Sequence, residues 1–307
     1  MRVAGVDIGT NTILMVISDV GHDGTISIIS DHHAIARIGK NVDADGAINP
    51  EAIQRAVTIL QQYKEICKNA NVQLMNAVAT SAVRSANNSK KVLSELSDAL
   101  GATIRCISGS EEAEVTYKGT VPTKGEYTVI DIGGGSTEVI TGSNGCIKHQ
   151  TSIEIGAVRI TERFHLSTDH EHDYINDATQ YIAEQMHTIQ FPIAANVYAV
   201  AGTPTTLAQM SLQQDVFNET EINNYKLTAN TIDACLQTIL TTPNNVRGTI
   251  TGVNPARADI LLAGALILQQ FMTHFRAPQV TVSTKGLRYG LLHNHTQSFT
   301  NNDGFFR

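Results

Sequence analysis

The sequence predicts an α/β protein built from two similar halves that face each other across a cleft. Three observations carry that prediction. Short β-branched runs alternate with helical patterns along all 307 residues. An apolar strand ending in Asp and a glycine turn is written twice, as RVAGVDIGTNTILMVI (2–17) and YTVIDIGGGSTEVI (127–140), with Asp7 and Asp131 124 residues apart. Further segments then answer one another in the same order: TSIEIGAVRI answers HHAIARIGK, and VYAVAGTPTTLAQM answers NAVATSAVRS, at offsets of 117 to 124 residues. Ordered repetition of this kind marks an internal duplication. It places a boundary near Val121–Pro122, giving one domain at 1–121 (joined by a C-terminal helix at about 288–307) and a second at 122–287.

The elements follow in order. VAGVDI, ILMVISDV and TISIIS read as a meander of strands. NPEAIQRAVTILQQYKEICKNA reads as a helix, capped by Asn49, opened by Pro50 and striped by Ile53, Val57, Leu60 and Ile66. NAVAT is a strand, KKVLSELSDALG a helix stopped by Gly101, ATIRCIS a strand, and EEAEVTYKG the start of another helix. In the second half, NPARADILLAGALILQQF reads as a buried helix and VTVSTKGLRYGLLHN as a strand leading into a helix. Residues 240–255 read as a surface loop and residues 296–307 as a frayed tail. Tyr63, Tyr117 and Phe164 sit inside apolar patterns and read as core.

Composition narrows the function. Hydrophobic residues make up 42% and charged residues 17%, as in ordinary globular domains. The longest apolar run, ILLAGALIL at residues 260–268, is too short to span a bilayer, and the N-terminus enters a strand without a signal-peptide pattern. Cys67, Cys106, Cys146 and Cys235 lack paired spacing, which argues against a disulfide framework or zinc site and for a reducing cytoplasm. A net charge of −7 and the absence of Trp argue against a nucleic-acid polymer as partner, while leaving room for a polyanion in a locally positive cleft.

An Asp at the end of a strand, followed by glycines, puts a carboxylate beside backbone that can approach a ligand closely. The amides suit phosphate and the carboxylate suits a divalent cation. One such turn is most simply a hairpin. Two equivalent turns in duplicated halves point to phosphate. Asp7 with Gly9, Thr10 and Asn11 forms one grip; Asp131 with Gly133, Gly134, Gly135, Ser136 and Thr137 forms the other. Ser108 and Glu111 fit a capping box, which leaves Glu112, a helix position of about 100° further round, to face the cleft.

The motifs DIGTNT, ATSAVR, ISGSEEA, DIGGGSTE, IGAVRITERF, AGTPTTLA and TKGLRYGLL, in this order, resemble the exopolyphosphatase and guanosine pentaphosphate phosphatase (Ppx/GppA) family over nearly the whole chain. The stretch ARIGKNVDADGAINPEAI also resembles that family. The resemblance implies two ribonuclease-H-like domains of the actin, sugar-kinase and acetate-kinase superfamily, with the glycine turns as its phosphate loops. It implies hydrolysis of phosphoanhydrides with Mg²⁺ or Mn²⁺. Asp131, then Asp7 and Glu138, would serve the metal, Arg84 would bind phosphate oxygens, and Glu112 would be the base. Glu138 is also a candidate for orienting water.

Arg159, Thr203, Thr205, Thr206, Lys285 and Arg288 form a second rank. His165, His170 and His172 lack a ligand spacing, and HNH at residues 293–295 carries no function by its letters. Leu14 stands where the family commonly has a basic residue. The resemblance is to the short form, without the helical HD-type domain that continues long members. Inorganic polyphosphate is the leading substrate and guanosine pentaphosphate (pppGpp) the alternative. The same fold also allows a superfamily kinase or an actin-like nucleotide-binding protein. No membrane partner is expected, and a homodimer is compatible with the sequence.

Overall fold

The computed structural model describes residues 1–21, 23–168 and 173–293. The first half opens with a meander of β1 (Arg2–Ile8), β2 (Thr12–Val20) and β3 (Ile26–Ile35). A single turn α1 (Val42–Asp45), α2 (Pro50–Asn69), β4 (Leu74–Ala79), α3 (Ser81–Ser85), α4 (Ser89–Leu100), β5 (Ile104–Cys106) and α5 (Gly109–Thr120) follow. The second half repeats the meander as β6 (Glu126–Ile132), β7 (Thr137–Ser143) and β8 (Cys146–Ile153). Then come α6 (Ala157–Arg163), α7 (Ile175–Met186), β9 (Val197–Val200), α8 (Gly202–Leu212), α9 (Glu219–Ile222), β10 (Lys226–Thr228) and α10 (Ala229–Thr241). The last elements are α11 (Ala258–Phe275), β11 (Gln279–Val282) and α12 (Leu287–His293).

The duplication is visible in the hydrogen bonding. The first sheet runs β3-β2-β1-β4-β5; the second runs β8-β7-β6-β9-β11, with β10 added antiparallel at its edge. In each, the central strand pairs antiparallel with the second and parallel with the fourth. Even the irregularity repeats. The β2–β3 ladder bulges between Ile17 and Ser18, and the β7–β8 ladder between Thr141 and Gly142, a shift of 141 − 17 = 124 residues. A bulge sharpens the local twist, so both meanders curl in the same place.

Each half has its own core. Ile13, Met15, Leu60, Leu96 and Leu100 are completely buried in the first, and Ile182, Leu207, Ile267 and Phe271 in the second. The helix Pro255–Phe275 is long and apolar enough to cross a membrane by length and composition, yet it packs into the second core through Leu262, Ala263, Ala265 and Leu268. The α2 stripe is set slightly off the expected line: Ile53 and Leu60 are buried, but Ala56, Tyr63 and Cys67 share the inward face while Val57 and Ile66 flank it. The Tyr63 and Tyr117 side chains are core, and Phe164 is partly buried against it.

Helices α5 and α12 cross between the sheets. Ala113 and Tyr117 of α5 pack with Val129, Ile140 and Val200 of the second half, whereas Leu291 and Leu292 of α12 pack against strands of the first. Gly119 and Gly290 meet at the crossing, where a β-carbon on Gly119 would strike the backbone of Gly286 and Gly290. Small residues there let two helices cross closely, so α5 ties the first half to the second while α12, the last described element, ties back to the first. Of the expected helix at about 288–307, the part through His293 is described.

One expectation fails. Residues 240–255 are not a plain surface loop: Asn244–Thr249 is a 3-10 helix in which Arg247 is completely buried, its Nε donating to the Ile239 carbonyl at 3.0 Å. Clusters of Asn, Thr, Pro and Gly read as loop because they break regular periodicity. They say nothing about an arginine that inserts beneath them.

Candidate active site

The two strand–glycine–strand turns close in the same way. Gly9 N donates to Thr12 O at 2.9 Å, and Gly133 N donates to Ser136 O at 3.0 Å. The turns also touch. A β-carbon on Gly134 would sit 2.9 Å from Thr10 Cβ, and one on Gly135 would sit 2.5 Å from Ser81 Oγ and 3.0 Å from Thr10 Oγ1. Glycine is required here by close approach rather than by backbone angle. Together they form the floor of a cavity of about 940 Å³, lined by Asp7, Gly9, Thr10, Asn11, Asp131, Gly133, Gly134, Gly135, Ser136 and Glu112 among others.

Glu112 lies in the first turn of α5, whose N-terminus is capped by Ser108 Oγ accepting from Glu111 N at 3.1 Å. Only half of the expected capping box forms. The Glu111 side chain turns instead to Arg105, 2.9 Å away. Glu112 is 8% exposed and accepts from Arg84 Nη1 at 3.1 Å; the same Nη1 donates to the Ile107 carbonyl at 2.9 Å. Arg84, on α3, therefore reaches the site through Glu112 and does not itself line the cavity.

Four carboxyl groups crowd together here, Asp7, Glu112 and Asp131 at the cavity and Glu138 behind it. Burial and the nearby Asp131 charge push the Glu112 carboxyl up to about 7, with Arg84 pulling the other way. Burial pushes Asp131 up to about 6 against a 3.3 Å hydrogen bond from Thr116 Oγ1. Asp7 is raised well above the usual range by burial, Glu112 and Asp131, against the Arg288 charge. Glu138 is likewise raised well above it by burial, Glu112 and Asp131. Three polar atoms at the cavity, Asp7 Oδ1, Asn11 Nδ2 and Ser81 Oγ, are buried without a hydrogen-bond partner among the described residues. Such atoms are costly unless something completes them.

The remaining expected residues divide. Thr137 is fully buried and spends its hydroxyl on the Ile155 carbonyl at 2.6 Å; Glu138 lies beside it, accepting from Ser152 Oγ at 2.6 Å. Neither lines the cavity. Glu138 pairs across the β6–β7 ladder with Asp131 as Leu14 pairs across β1–β2 with Asp7, so Leu14 and Glu138 are equivalent positions. Thr203, Thr205, Thr206 and Lys285 line the far part of the cavity. Arg159 does not, and is tied by ion pairs to Asp43 and Glu154.

Arg288 lines the cavity but is committed to Asp31 through a double hydrogen bond at 2.9 and 2.7 Å, with Tyr289 Oη adding a third contact at 2.9 Å. Burial pushes the Asp31 carboxyl up, but hydrogen bonds from His33 and Arg288 outweigh it and hold Asp31 well below the usual carboxylate range. His165 is exposed, and His170, His172, Asn294 and His295 lie outside the described residues.

Sequence reasoning missed Ser81, Thr116 and Arg257. Arg257 lines the cavity where α11 begins, its guanidinium pressed against Gly202, and it makes no side-chain hydrogen bond or ion pair among the described residues. Burial lowers its proton affinity, so an anionic partner would be favourable there. Its one signal was a lone cation at the mouth of a long apolar run.

A sequence model of the Ppx/GppA phosphatase family matches residues 16–299. The chain belongs to that family. Its chemistry is accordingly hydrolysis of a phosphate bond. Exopolyphosphatase 2 of Mycobacterium tuberculosis is 30% identical over 311 residues, covering 94% of this chain and 97% of that protein. The crystal structure of the Aquifex aeolicus Ppx/GppA family member superimposes with a TM-score of 0.82 at 27% identity, covering 98% of this chain and 99% of that one. An exopolyphosphatase from Cytophaga hutchinsonii gives 0.83 at 25% identity, covering 97% and 98%. These likenesses confirm a two-domain actin-like α/β fold.

Proposed function

We propose that this Ppx/GppA phosphatase releases the terminal phosphate of inorganic polyphosphate, with Glu112 as the general base. The observation that supports this most is Glu112 itself: a buried carboxylate, raised to about 7, hydrogen-bonded to Arg84 and opening onto paired glycine turns. A carboxylate at its ordinary value of about 4.3 is a weak base at neutral pH; one near 7 is matched to the task.

The loop amides and hydroxyls of Gly9, Thr10, Asn11, Gly133, Gly134, Gly135 and Ser136 would hold the terminal phosphates. A water between Glu112 and the terminal phosphorus would lose its proton to Glu112 as it attacks in line with the leaving oxygen. Arg84 uses Nη1 to hold Glu112 and acts on the reaction through that carboxylate, fixing its position and favouring its charged form.

Among the described residues no three His, Cys, Asp or Glu side chains form a ready-made metal cage. Mg²⁺ needs none, being commonly held by one or two carboxylates, water and substrate oxygens. The partnerless Asp7 Oδ1 and the mutual repulsion of Asp7 and Asp131 fit such an ion, Mg²⁺ or Mn²⁺, with Asp131 and Asp7 as its protein ligands. When bound it would offset charge on the phosphates. Glu138, behind the cavity and bonded to Ser152, fits a supporting position better than a direct ligand.

The cavity favours one second reading. It extends well past the loops to Thr203, Arg257 and Lys285, room that the distal part of a bulkier substrate such as pppGpp could fill. Four free cysteines agree with a reducing cytoplasm as the compartment. Phosphate release from short polyphosphate, long polyphosphate and pppGpp, with and without Mg²⁺, tests the assignment. Metal-dependent release that is fastest from polyphosphate supports it; release from pppGpp alone selects the second reading, and release from neither rejects both.

A further inference from the structure

The cavity is bounded by contacts between the two halves, and one of them bears on the cation it holds. Arg37 follows β3 in the first half. Its Nη2 donates to the Ala256 carbonyl at 2.9 Å and to Asp259 Oδ1 at 3.1 Å, in the second half and 222 residues away along the chain. Those two acceptors flank Arg257. The backbone commits to the contact as well: Arg37 holds a left-handed φ of 50°, and its amide, like that of Ala36, donates to the carbonyl of Asn11 in the first glycine turn. Arg37 thus links the floor of one half to the turn that presents Arg257 from the other.

We infer that Arg37 is a positioning residue, a clasp across the cleft that holds the 255–259 turn so that Arg257 points at bound phosphate. The inference rests on the phosphohydrolase reading only for its ligand; the clasp itself is a statement about two halves. A guanidinium that must meet an anion needs a fixed backbone, and Arg257 ends a short 3-10 segment (Pro255–Arg257) that has no buried residue of its own before Ala258 enters the core at the start of α11. Pro255, Ala256 and Asn254 are exposed, and Arg257 keeps part of its surface open to the cavity. Arg37 brings a charged group to this turn from the first half. Its ion pair with Asp259 is about one-third exposed on each side, so solvent screens it and its contribution is modest.

Neighbouring contacts have the same sense. Asn41 N donates to Glu162 Oε1 at 2.9 Å, and Asp43 pairs with Arg159 at 3.2 Å. The segment from Arg37 to Asp43 is therefore one jaw that grips the second half at two places, α6 and the head of α11.

The test uses Arg37→Gln, Asp259→Asn and the exchanged pair Arg37→Asp with Asp259→Arg, each in the full chain. With short polyphosphate, each single substitution should raise KM about fivefold, the upper range for an exposed pair, and leave kcat within about twofold. The exchanged pair should recover most of the loss. Arg257→Gln should raise KM by itself, and adding Arg37→Gln to it should bring little more, because Arg37 acts through Arg257. Small-angle scattering of the substrate-free proteins reads the clasp without reference to turnover: the singles should have a larger radius of gyration than the parent, and the exchanged pair should return to it. An unchanged KM in Arg37→Gln, or an effect that adds in full to Arg257→Gln, overturns the positioning role. An unchanged radius of gyration in both singles overturns the clasp, whatever the substrate proves to be.

Discussion

At the residue scale the site turns on carboxyl groups held away from their ordinary range. If Glu112 must be ionised to accept a proton, kcat/KM rises with pH through about 7, and below that value it falls about tenfold per pH unit. Arg84 holds the Glu112 carboxyl down, so Arg84→Gln should move this limb to higher pH as well as lowering its plateau; a pH–rate series on both proteins reads the two effects separately. Stability carries the opposite sign. Asp7, Glu112, Asp131 and Glu138 all have raised folded-state values, so their contribution is fully present below the unfolded carboxyl range and is lost as pH rises through each folded value, about 6 for Asp131 and about 7 for Glu112. A divalent cation competes for the same oxygens. Thermal unfolding should therefore show a larger Mg²⁺-induced rise in Tm at pH 8 than at pH 5, and an equal rise at both would contradict placement of the ion at this cluster. Of these residues, Asp7, Asp131 and Glu112 were legible in sequence because each stands at a defined turn or helix start. Arg257 and Ser81 were not, since neither interrupts the pattern around it.

At the element scale, the signals that worked were local. Asn49 caps α2 by accepting from Ala52 N at 2.8 Å, Gly101 ends α4 in the left-handed conformation, and Ser108 caps the helix that carries Glu112. Each needs only a few neighbours in the chain to be read. The crossing of α5 and α12 is different, because its two glycines are 290 − 119 = 171 residues apart and neither looks unusual alone. Gly119→Ala should drive a methyl group into the backbone of α12 and cost about 1–3 kcal/mol, read as a lower urea midpoint. A midpoint equal to that of the parent would mean that the helices separate freely, and that this crossing does not couple the halves.

At the scale of the whole molecule, duplication was the most legible property. One offset of 124 residues relates Asp7 to Asp131, Gly9 to Gly133 and the Ile17 bulge to the Thr141 bulge, so the second half repeats hydrogen bonds as well as letters. What the halves do not share is where function concentrates. Glu112 and Arg84 come from the first half, the triple glycine from the second, and the equivalent positions Leu14 and Glu138 have diverged to apolar and acidic. Sequence comparison between halves exposes symmetry well. It exposes asymmetry poorly, because a site shared by two halves is assembled only by packing. Asp31 and Arg288 illustrate this: a double hydrogen bond joins residues 257 positions apart along the cavity wall.

The central claim is that one buried carboxylate, Glu112, takes the proton from attacking water. It is tested most directly by phosphate release from short-chain polyphosphate with Mg²⁺ at pH 8, comparing the parent protein with Glu112→Gln. The account predicts a fall of kcat by about a hundredfold or more with the fold intact by circular dichroism. Turnover by the variant at the parental rate would contradict it.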